Sequence, residues 1–571
     1  MNATATLELK PDRLLMDSNF NGYKLSLADL KVTRKTLEIN VDKTFPKSSQ
    51  YSLLHAKLFG LHNHLFGDQF DELSSVYFID QEFKVQKTYI DSTYQELIHP
   101  VTVFNIPKLR KQITGDYNVT LKFASPSYAI LSDGMGKMYI LATKNKQDNE
   151  QFETEFSENV LENEKQGFIV SDAVYNEENK EINVLLLHIQ QDDTDCFISV
   201  VHWLTFKKSQ SKNKEKTWGQ TALRQLQSKG EIQYLYLEKN GSYINIVSEN
   251  NVRFILNSEH PIKETLLQPP SGWAETIYTW SQTSAEVTVT VPLTQNPQKN
   301  LIQVSANQSI INVTYNSQTL LFGNLEGPID SSLLTWSLGS DDTLKIMLIK
   351  QKEGDWKELI KGDRQGKYID IAATDHLEKY TTETEVTPQS GTTFNSQQIE
   401  ECDFEGDKSE TFERICGITS KPTHRVHLGS HQVILSPYLN CDWPPALGIR
   451  HDVDICLWQP LFEGESFRCK HEGTLLAFGY VQASKTNRKF VTCSPNLSYA
   501  VISEASGHIF IYQQNKPLLA TNMRHRTTGQ KITNIAQQQV FHLPNQDILG
   551  LFAANNHLFI LGETFILSLN I

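Results

Sequence analysis

The sequence predicts an all-β fold: a β-propeller of about seven blades, built from both ends of the chain, with a β-sandwich inserted between its two parts. Two observations lead to this prediction. One β-hairpin pattern recurs early and late in the chain, and between its copies lies a run of short alternating strands punctuated by tryptophans. The predicted propeller parts are residues 1–270 and 410–571, and the predicted sandwich is residues 273–361.

The inserted segment is predicted to form a sandwich of about seven strands. In Glu286–Val291, valines alternate with Glu and Thr, which is the period-two pattern of a strand with one buried face. Further segments rich in β-branched and aromatic residues follow at 301–304, 309–315, 319–322, 335–338 and 343–350. Asn316-Ser317 and Asp341-Asp342 are predicted to form tight turns, because Asn and Asp tolerate positive φ. No helix is needed in this segment.

The propeller prediction rests on a hairpin that recurs outside the sandwich. Each copy is a strand, a tight turn and a second strand, and the pairs are Ser127–Gly134 with Lys137–Ile140, Ser242–Asn250 with Val252–Ile255, and Ser498–Glu504 with His508–Ile511. A fourth copy includes Asn555–Ile560. Two copies precede the sandwich and two follow it, which predicts one propeller assembled from both ends. The apolar segment Leu558–Ile571 is predicted to close the ring against an N-terminal strand.

Two segments have the composition of connections. Residues 371–409 are predicted to form an acidic linker rich in Thr, Glu and Gln. The linker either limits how far the sandwich can move from the propeller, or it connects the two domains without a further role. A basic run contains Lys207, Lys208, Lys212, Lys214 and Lys216. It is interpreted as a solvated loop, with a nuclear localisation signal as the alternative.

Charge and cysteine content restrict the class of partner. The net charge of -13 disfavours direct binding of nucleic acid, which requires a basic face. The seven cysteines include no Cys-x-x-Cys pair, so reduced thiols are expected. The first residues lack the pattern of a signal peptide, and no apolar run is long enough to span a bilayer. We therefore expect a cytoplasmic location, with the nucleus as the alternative, and no membrane anchor. We also expect a monomer.

The sandwich segment resembles a CS domain of the NudC type, an architecture shared with the p23 co-chaperone. The matching residues are Tyr278–Thr283, Gly323–Leu325, Ile329-Asp330, Ser332, Thr335-Trp336, Leu344–Lys350 and Asp355–Leu359. The resemblance implies an Hsp90-linked co-chaperone or client adaptor, and it implies no chemical activity. Glu326 departs from the family, which commonly has an aromatic residue at that place.

Five residues of the CS signature are candidates for a partner surface. Trp280, Trp336 and Trp356 are interpreted first as core residues, because a domain this small needs their apolar area. Gln282 and Asp330 are interpreted first as hydrogen-bond partners at turns and sheet edges.

The rest of the chain resembles a branch of the NudC family in which a CS domain accompanies a propeller-like remainder. The matching segments are Asn21–Leu27, Ser132–Gly134 with Tyr139, Arg450–Ile455 with Leu457–Pro460, and Gly479–Lys485. The propeller signature residues are accordingly Asp133, Gly134, Arg450, His451, Asp452, Asp454 and Trp458. Membership of the NudC group implies protein clients that are themselves often propellers.

Arg450–Asp454 is the segment that most resembles a catalytic site. On a strand, Asp452 and Asp454 would project to one face and His451 to the other, and no nucleophile motif accompanies them. These residues are therefore interpreted as polar groups that pin a blade turn.

The sequence indicates no cofactor and no metal. His62 with His64, and His424 with His427, lack the additional ligands of a metal site. Three functions stay open: a non-catalytic co-chaperone that binds Hsp90 or clients, a propeller scaffold with the CS domain as an intramolecular lid, and, more remotely, an enzyme that uses His451 and Asp452.

Overall fold

A computed structural model describes residues 4–260, 278–368 and 410–571 of the chain, apart from short gaps. The gaps are residues 19, 72–74, 92, 109, 145, 147–148, 162, 164–165, 193–194, 211–215, 250–251, 294–298, 316–317, 340–342, 353, 362–365, 464–465, 518–523, 525–528 and 530–533. The chain divides into two compact units. One comprises Met1–Ile262 with Ser396–Ile571, and the other is Lys263–Asn395.

The described residues are organised almost wholly as strands. Before the sandwich these are β1 (Ala5–Thr6), β2 (Lys24–Leu25), β3 (Lys31–Thr36), β4 (Phe66–Gly67), β5 (Val76–Ile79), β6 (Lys84–Thr88), β7 (Val101–Asn105), β8 (Thr120–Ser125), β9 (Tyr128–Ser132), β10 (Lys137–Ala142), β11 (Glu153–Asn159), β12 (Ile169–Asn176), β13 (Glu181–Gln191), β14 (Phe197–Gln210), β15 (Lys216–Ser228), β16 (Ile232–Leu237), β17 (Tyr243–Ser248) and β18 (Arg253–Asn257). Those of the sandwich are β19 (Tyr278–Gln282), β20 (Glu286–Pro292), β21 (Ile302–Ala306), β22 (Ile310–Tyr315), β23 (Gln318–Asn324), β24 (Thr335–Leu338), β25 (Thr343–Ile349) and β26 (Gly366–Tyr368).

After the sandwich come β27 (Glu410–Cys416), β28 (Lys421–Gly429), β29 (Val433–Leu435), β30 (Leu447–His451), β31 (Asp454–Glu463), β32 (Ser466–Leu475), β33 (Arg488–Cys493), β34 (Tyr499–Glu504), β35 (His508–Pro517), β36 (Asn534–His542), β37 (Ile548–Ala553), β38 (His557–Gly562) and β39 (Phe565–Asn570). Among the described residues, two short α-helices are α1 (Leu53–Gly60) and α2 (Phe478–Ala483). Three 3-10 turns are Arg13–Leu15, Lys299–Leu301 and Ser331–Leu333.

In the described part of the larger unit, seven sheets form the blades of a propeller, which confirms the predicted fold class. The blades are β4–β7, β8–β11, β12–β15, β16 and β17 with β27 and β28, β29–β32, β33–β36, and β37–β39 with β3. We number them 1 to 7 in this order. The first strands of neighbouring blades, such as β8 and β12 or β33 and β37, contact each other, so these strands lie innermost in the ring.

Apolar cores fill the spaces between successive blades. Tyr77 of blade 1 and Phe123 of blade 2 pack with ring centroids 4.9 Å apart. Phe78 of blade 1 and Phe559 of blade 7 share the cluster that completes the ring. Because each blade buries both faces, a strand such as β5 is apolar along its whole length and does not alternate.

The ring is closed by strands from opposite ends of the chain, as the sequence predicted. β3 pairs antiparallel with β39, with Lys31 opposite Asn570 and Thr36 opposite Phe565. Arg34 adds a cation–π contact, since its guanidinium carbon lies 4.0 Å from the centre of the Phe565 ring. Blade 7 is therefore complete only when the N-terminal strand is in place.

The hairpin predicted from Ser242–Asn250 and Val252–Ile255 is wrong. β17 pairs with β16 and β27, whereas β18 pairs with β15 at the outer edge of blade 3. The register places Tyr243 opposite Cys416 and Ser248 opposite Thr411. The strand that follows β17 in the sheet thus comes from beyond the sandwich, and the insertion divides blade 4 in its middle.

The N-terminal segment runs along the outer edges of the last four blades. β1 pairs parallel with β28 of blade 4, and β2 pairs parallel with β36 of blade 6. Between them, the Asp12 N–H donates to His471 Nδ1 at 3.0 Å on blade 5. The Tyr23 hydroxyl donates to the Leu476 carbonyl at 2.5 Å. We call residues 4–36 the N-terminal belt; the sequence predicted only its last contact, with blade 7.

The smaller unit is the predicted sandwich. One sheet has the order β24-β25-β20-β19-β26 and the other β21-β22-β23. Val287, Val289 and Val291 all point into the core, as their alternation predicted. The predicted turns Asn316-Ser317 and Asp341-Asp342 lie outside the described residues, and so does the predicted linker 371–409.

The predicted loop is wrong for three of the five lysines of the basic run, and Lys212 and Lys214 lie outside the described residues. Lys207 and Lys208 lie within β14, and Lys216 begins β15, while 211–215 lie outside the described residues. The ammonium of Lys207 lies 2.6 Å from Glu181, and that of Lys208 lies 2.7 Å from Glu155. β14 and β15 pair along their whole length, up to Gln210 opposite Lys216, so the strands continue through the lysines that were predicted to lie in a loop.

A buried histidine pair on blade 3 couples the stability of the propeller to pH. The Nε2 atoms of His188 (β13) and His202 (β14) lie 3.1 Å apart. In the described part of the chain, neither buried Nδ1 atom has a hydrogen-bond partner. Burial lowers the pKa of His188 to about 3 and that of His202 to about 4.

These pKa values predict destabilisation by acid. The unfolded chain takes up protons near pH 6.5 and the folded pair does not, so stability is lost as pH falls below about 6.5. Between pH 7 and pH 5 we expect the native chain to lose about 2 to 4 kcal/mol more free energy of unfolding than a His188→Gln/His202→Gln variant. Urea unfolding at both pH values measures the difference. A His508→Gln/His542→Gln variant, which changes a stacked pair nearer the surface, serves as the control. Equal losses in the native chain and the buried-pair variant would contradict this account.

Candidate protein-interaction sites

Two polar side chains of the sandwich, Gln282 and Lys350, form an internal clamp around the backbone of Trp356. Gln282 Nε2 donates to the Trp356 carbonyl, and the Trp356 N–H donates back to Gln282 Oε1, both at 2.8 Å. Lys350 Nζ donates to the same Oε1 at 2.8 Å and to the Thr283 carbonyl at 2.9 Å. Lys350 is only 6 % exposed, and burial lowers its pKa. The clamp fixes the segment that carries Trp356 to the end of β19.

The three signature tryptophans all contribute to the core. Trp280 and Trp356 are buried, and the Trp280 ring lies 4.8 Å from that of Tyr368. Trp336 stands opposite Ile346 and covers the edge of the same core as a partly buried residue. The backbone N–H of Asp330 donates to Ile349 at 2.9 Å, so Asp330 lies at a sheet edge. The three tryptophans thus cover or fill the core, and the backbone of Asp330 pairs with β25.

Apolar side chains that the signature does not include lie exposed on the sandwich. Phe322 is 65 % exposed and Leu333 is 53 % exposed, and Met347 and Tyr368 also present large apolar surfaces to solvent. For the exposed residue of β23, the sequence contained one indication. Leu320-Leu321-Phe322 interrupts the alternation of β23, so one of these residues must face outward.

Glu326 has a structural role at the place where an aromatic residue was expected. Its Oε2 accepts the N–H of Glu358 at 2.8 Å, and its own N–H donates to the Leu359 carbonyl at 3.2 Å. The carboxylate therefore helps to hold the segment after β25 against the end of β23.

The Gln282 clamp leads to a prediction about the sandwich. In a Gln282→Leu variant, the Trp356 N–H loses its acceptor and Lys350 loses one of its own, which we expect to cost about 2 kcal/mol. Hydrogen exchange of the full chain should show faster exchange over residues 354–361. Gln303→Leu, which changes an exposed glutamine on β21 of the same unit, is the matched control. Unchanged protection of residues 354–361 in Gln282→Leu would argue against the clamp.

Asp133 and Gly134 shape the turn between β9 and β10. Asp133 Oδ1 accepts the N–H groups of Met135 at 2.7 Å and Lys137 at 3.0 Å, and burial raises the pKa of Asp133. Gly134 has φ +73°, and a Cβ there would overlap the Tyr117 carbonyl. Asp80 accepts two backbone N–H groups in the same way in blade 1, which sequence reasoning missed.

The strand predicted through Arg450–Asp454 is wrong. β30 ends at His451 and β31 begins at Asp454, so Asp452 lies in the turn, where its φ is +54°. A turn breaks the alternation of faces, and the predicted separation of Asp452 and Asp454 from His451 does not apply. Asp454 Oδ1 instead accepts the Ala477 N–H at 2.5 Å, just before α2.

Two further signature residues of blade 5, Arg450 and Trp458, make contacts within the fold. Arg450 Nε donates to the Asp452 carbonyl at 2.8 Å within the turn. Trp458 is buried, and its ring centroid lies 5.1 Å from that of His471, the side chain that accepts the N–H of Asp12 from the N-terminal belt. This pair therefore connects the blade core to the belt.

His62 and His64, one of the two histidine pairs considered as metal ligands, lie in contact with each other. His62 and His64 have ring centroids 4.6 Å apart, and burial lowers the pKa of both. No group of three or more His, Cys, Asp or Glu side chains among the described residues is placed to hold a metal ion. Among these residues there is also no helix with the length and apolar character needed to cross a membrane.

In sequence, the CS-type sandwich is inserted between β17 and β27 of blade 4. The molecule is therefore a CS-domain protein with a propeller scaffold. Comparison with known proteins agrees, since the model of the CS domain family matches residues 276–350. The chain is 32% identical to the NudC domain-containing protein 1 of Mus musculus, over 98% of this chain and 97% of that protein. It is 31% identical to the Xenopus laevis protein of the same name, over 98% and 97%. The chain therefore belongs to the NudC domain-containing protein 1 family, as the sequence resemblance predicted.

Part of the chain is also similar to a solved structure. The CS domain of the human KIAA1068 protein is 25% identical to this chain, and the match covers 17% of this chain and 84% of that domain, with a TM-score of 0.15.

Proposed function

We propose that the chain is a non-catalytic co-chaperone or adaptor of the NudC type, in which the CS domain binds Hsp90 or a folding client and the propeller binds a further protein. The main observation behind this proposal is that different residues of the sandwich are buried in its core and exposed to solvent. Its tryptophans and signature polar groups serve the fold, while Phe322, Leu333, Met347 and Tyr368 leave apolar surface free for contact. Phe322 lies on the three-stranded sheet, and Met347 and Tyr368 lie on the five-stranded sheet, so both sheets of the sandwich offer exposed apolar side chains to a protein partner.

The charge of the chain supports protein partners over nucleic acid. The net charge of -13 opposes the phosphate contacts on which nucleic-acid binding depends. The candidate catalytic residues of blade 5 serve a turn and a helix start, which favours a binding role for this part of the molecule.

Co-purification from cytosol tests the proposal. Deleting residues 273–361 should remove Hsp90 and client proteins from the material recovered with the chain. A Phe322→Ser/Met347→Ser variant should weaken the same recovery, because these side chains are exposed and their replacement leaves the core intact. The control is Tyr94→Ser, which removes an exposed aromatic residue of the propeller. Full recovery after the deletion would exclude the CS domain as the binding element.

A further inference from the structure

A cavity of about 700 Å³ opens at one end of the propeller. Its walls come from the places where the first strand of a blade connects to the second, in blades 1 to 5. Phe70 follows β4, Pro126 follows β8, Tyr175 ends β12, Asn240 follows β16, and Tyr438 follows β29. Because these connections all lie at the same end of the innermost strands, five blades converge on one site. Its volume lies within the range of about 300 to 1,000 Å³ that is usual for binding sites.

The walls combine aromatic surface with polar groups. Phe70, Tyr175 and Tyr438 are half-buried around the cavity. Trp443 is 39 % exposed, although it is among the largest apolar side chains of the propeller. An exposed indole beside a cavity offers a flat face for an aliphatic chain or a cation.

The charges around the cavity are predominantly negative. Among its described lining residues, the carboxylates of Asp172, Glu177, Glu178 and Asp442 accompany a single ammonium, that of Lys239. Lys239 Nζ lies 2.6 Å from Asp442, and both side chains are more than half exposed, so this pair is weak and open to exchange. Glu177 and Glu178 are also exposed.

Asp172 lies deeper than the other carboxylates. It is buried, and its Oδ2 accepts the Leu237 N–H at 2.8 Å. Burial raises its pKa to about 6, and the neighbouring Lys122 ammonium acts in the opposite direction. The Lys122 ammonium balances this carboxylate, so the excess negative charge of the cavity comes from Glu177 and Glu178, which are exposed at its rim.

We propose that this cavity binds a lysine- or arginine-bearing loop or tail of a protein partner. The aliphatic stem of the basic residue packs between Tyr175 and Tyr438, and its charge lies among the carboxylates of Glu177, Glu178 and Asp442. The inference rests on the proposed function, since it gives the propeller the recognition site that an adaptor needs. An acidic segment would meet an excess of like charge, and a neutral segment would leave the carboxylates of Glu177 and Glu178 without a cationic partner.

The test uses the full chain and a library of synthetic heptapeptides whose central residue is Lys, Arg, Gln, Leu or Glu and whose other positions are randomised. We expect the chain to retain peptides with central Lys or Arg at least about fivefold over those with Gln, Leu or Glu. The best retained peptide, labelled with fluorescein, is then titrated by fluorescence anisotropy. A Glu177→Lys/Glu178→Lys variant should raise its Kd about tenfold or more, which corresponds to the loss of one good charged contact.

Two further variants make the test specific. Glu38→Lys/Glu158→Lys changes the total charge equally at exposed positions that do not line the cavity, and it should leave the Kd within about twofold. Trp443→Ala keeps all the carboxylates and should raise the Kd about threefold or more through the lost aromatic face. Equal retention of all five peptide classes, or the same Kd in the cavity variant and the charge-matched control, would overturn the proposal.

The outcome is separable from that of the proposed function. If peptide selection fails while deletion of residues 273–361 still removes Hsp90 and clients, only the cavity proposal is wrong. If the deletion has no effect while the cavity selects basic peptides, the CS role is wrong and the cavity proposal stands.

Discussion

Replacing Arg414 with alanine should cost the propeller about 3 to 5 kcal/mol of its free energy of unfolding. Arg414 Nε donates to Glu238 Oε1 at 2.6 Å, and Nη2 donates to Oε2 at 2.8 Å, in a two-pronged pair. The two side chains are only 4% and 12% exposed, and the guanidinium carbon lies 3.6 Å from the centre of the Tyr243 ring. Without Arg414, the Glu238 carboxylate would stay buried without its main partner, which is the expensive case for an ion pair.

The ion pair connects two segments that lie on opposite sides of the sandwich in the sequence. Glu238 follows β16 before the insertion, and Arg414 lies on β27 after it, so the pair joins the two halves of blade 4. Hydrogen exchange of β17 in the full chain, with urea unfolding, measures the loss. Arg414→Lys keeps the positive charge but cannot make both hydrogen bonds to Glu238, and it should lower the free energy of unfolding by less than Arg414→Ala does. Lys239→Ala breaks an exposed pair between Lys239, next to Glu238 in blade 4, and Asp442 of blade 5, and it should change stability by less than about 1 kcal/mol. An effect of Arg414→Ala as small as that of Lys239→Ala would show that blade 4 does not depend on the pair.

Deleting residues 1–36 should open the ring. The deletion removes β3, and with it six residue pairs with β39 and the Arg34 contact to Phe565. At about 1 kcal/mol for each lost hydrogen bond, we expect at least about 4 kcal/mol of destabilisation and a hydrogen-bonding edge of blade 7 exposed to solvent. Thermal unfolding should shift to lower temperature, and the variant should aggregate through the free edge of β39.

The matched controls separate closure from the rest of the N-terminal belt. Deleting residues 1–10 removes the two-residue parallel pairing of β1 with β28 and the contacts of Leu7 and Leu9 beside it, but it keeps β3 and should therefore cost less. A synthetic peptide of residues 29–38, added to the longer deletion, should restore part of the lost stability by pairing with β39. Equal stability of the two deletions, with no effect of the peptide, would contradict the importance of the closing strand.

The strands themselves could be predicted, because their signals are local. Alternation in Glu286–Val291 identified β20 and its buried face, and the apolar segment from Leu558 correctly indicated the closing strand. The errors arose where a local pattern had to choose a partner. Val252–Ile255 was recognised as a strand, yet it pairs with blade 3 and not with its sequence neighbour β17. A period-two pattern specifies which face is buried, and it contains no information about which edge forms the hydrogen bonds.

The site residues show the same limit. Asp452 was assigned to a strand because the residues around it are typical of strands, but its positive φ makes a turn that composition does not reveal. Phe322 was missed because its exposure depends on the position of β23 in a three-stranded sheet. The cavity at the end of the propeller could not be found from the sequence, since its walls come from five separate connections.

The sequence by itself determined that this protein is all β, that a CS-type sandwich interrupts a propeller, and that the two ends of the chain meet. These properties follow from the period of apolar residues, from turn chemistry and from family motifs, each of which acts over a few residues. Only the tertiary structure decided that the sandwich divides blade 4, that the N-terminal belt runs along the outer edges of the last blades, and that five blades form one acidic, aromatic cavity. Those features join residues far apart in the chain, and their geometry is set by strand pairing and packing between blades, which no local pattern encodes.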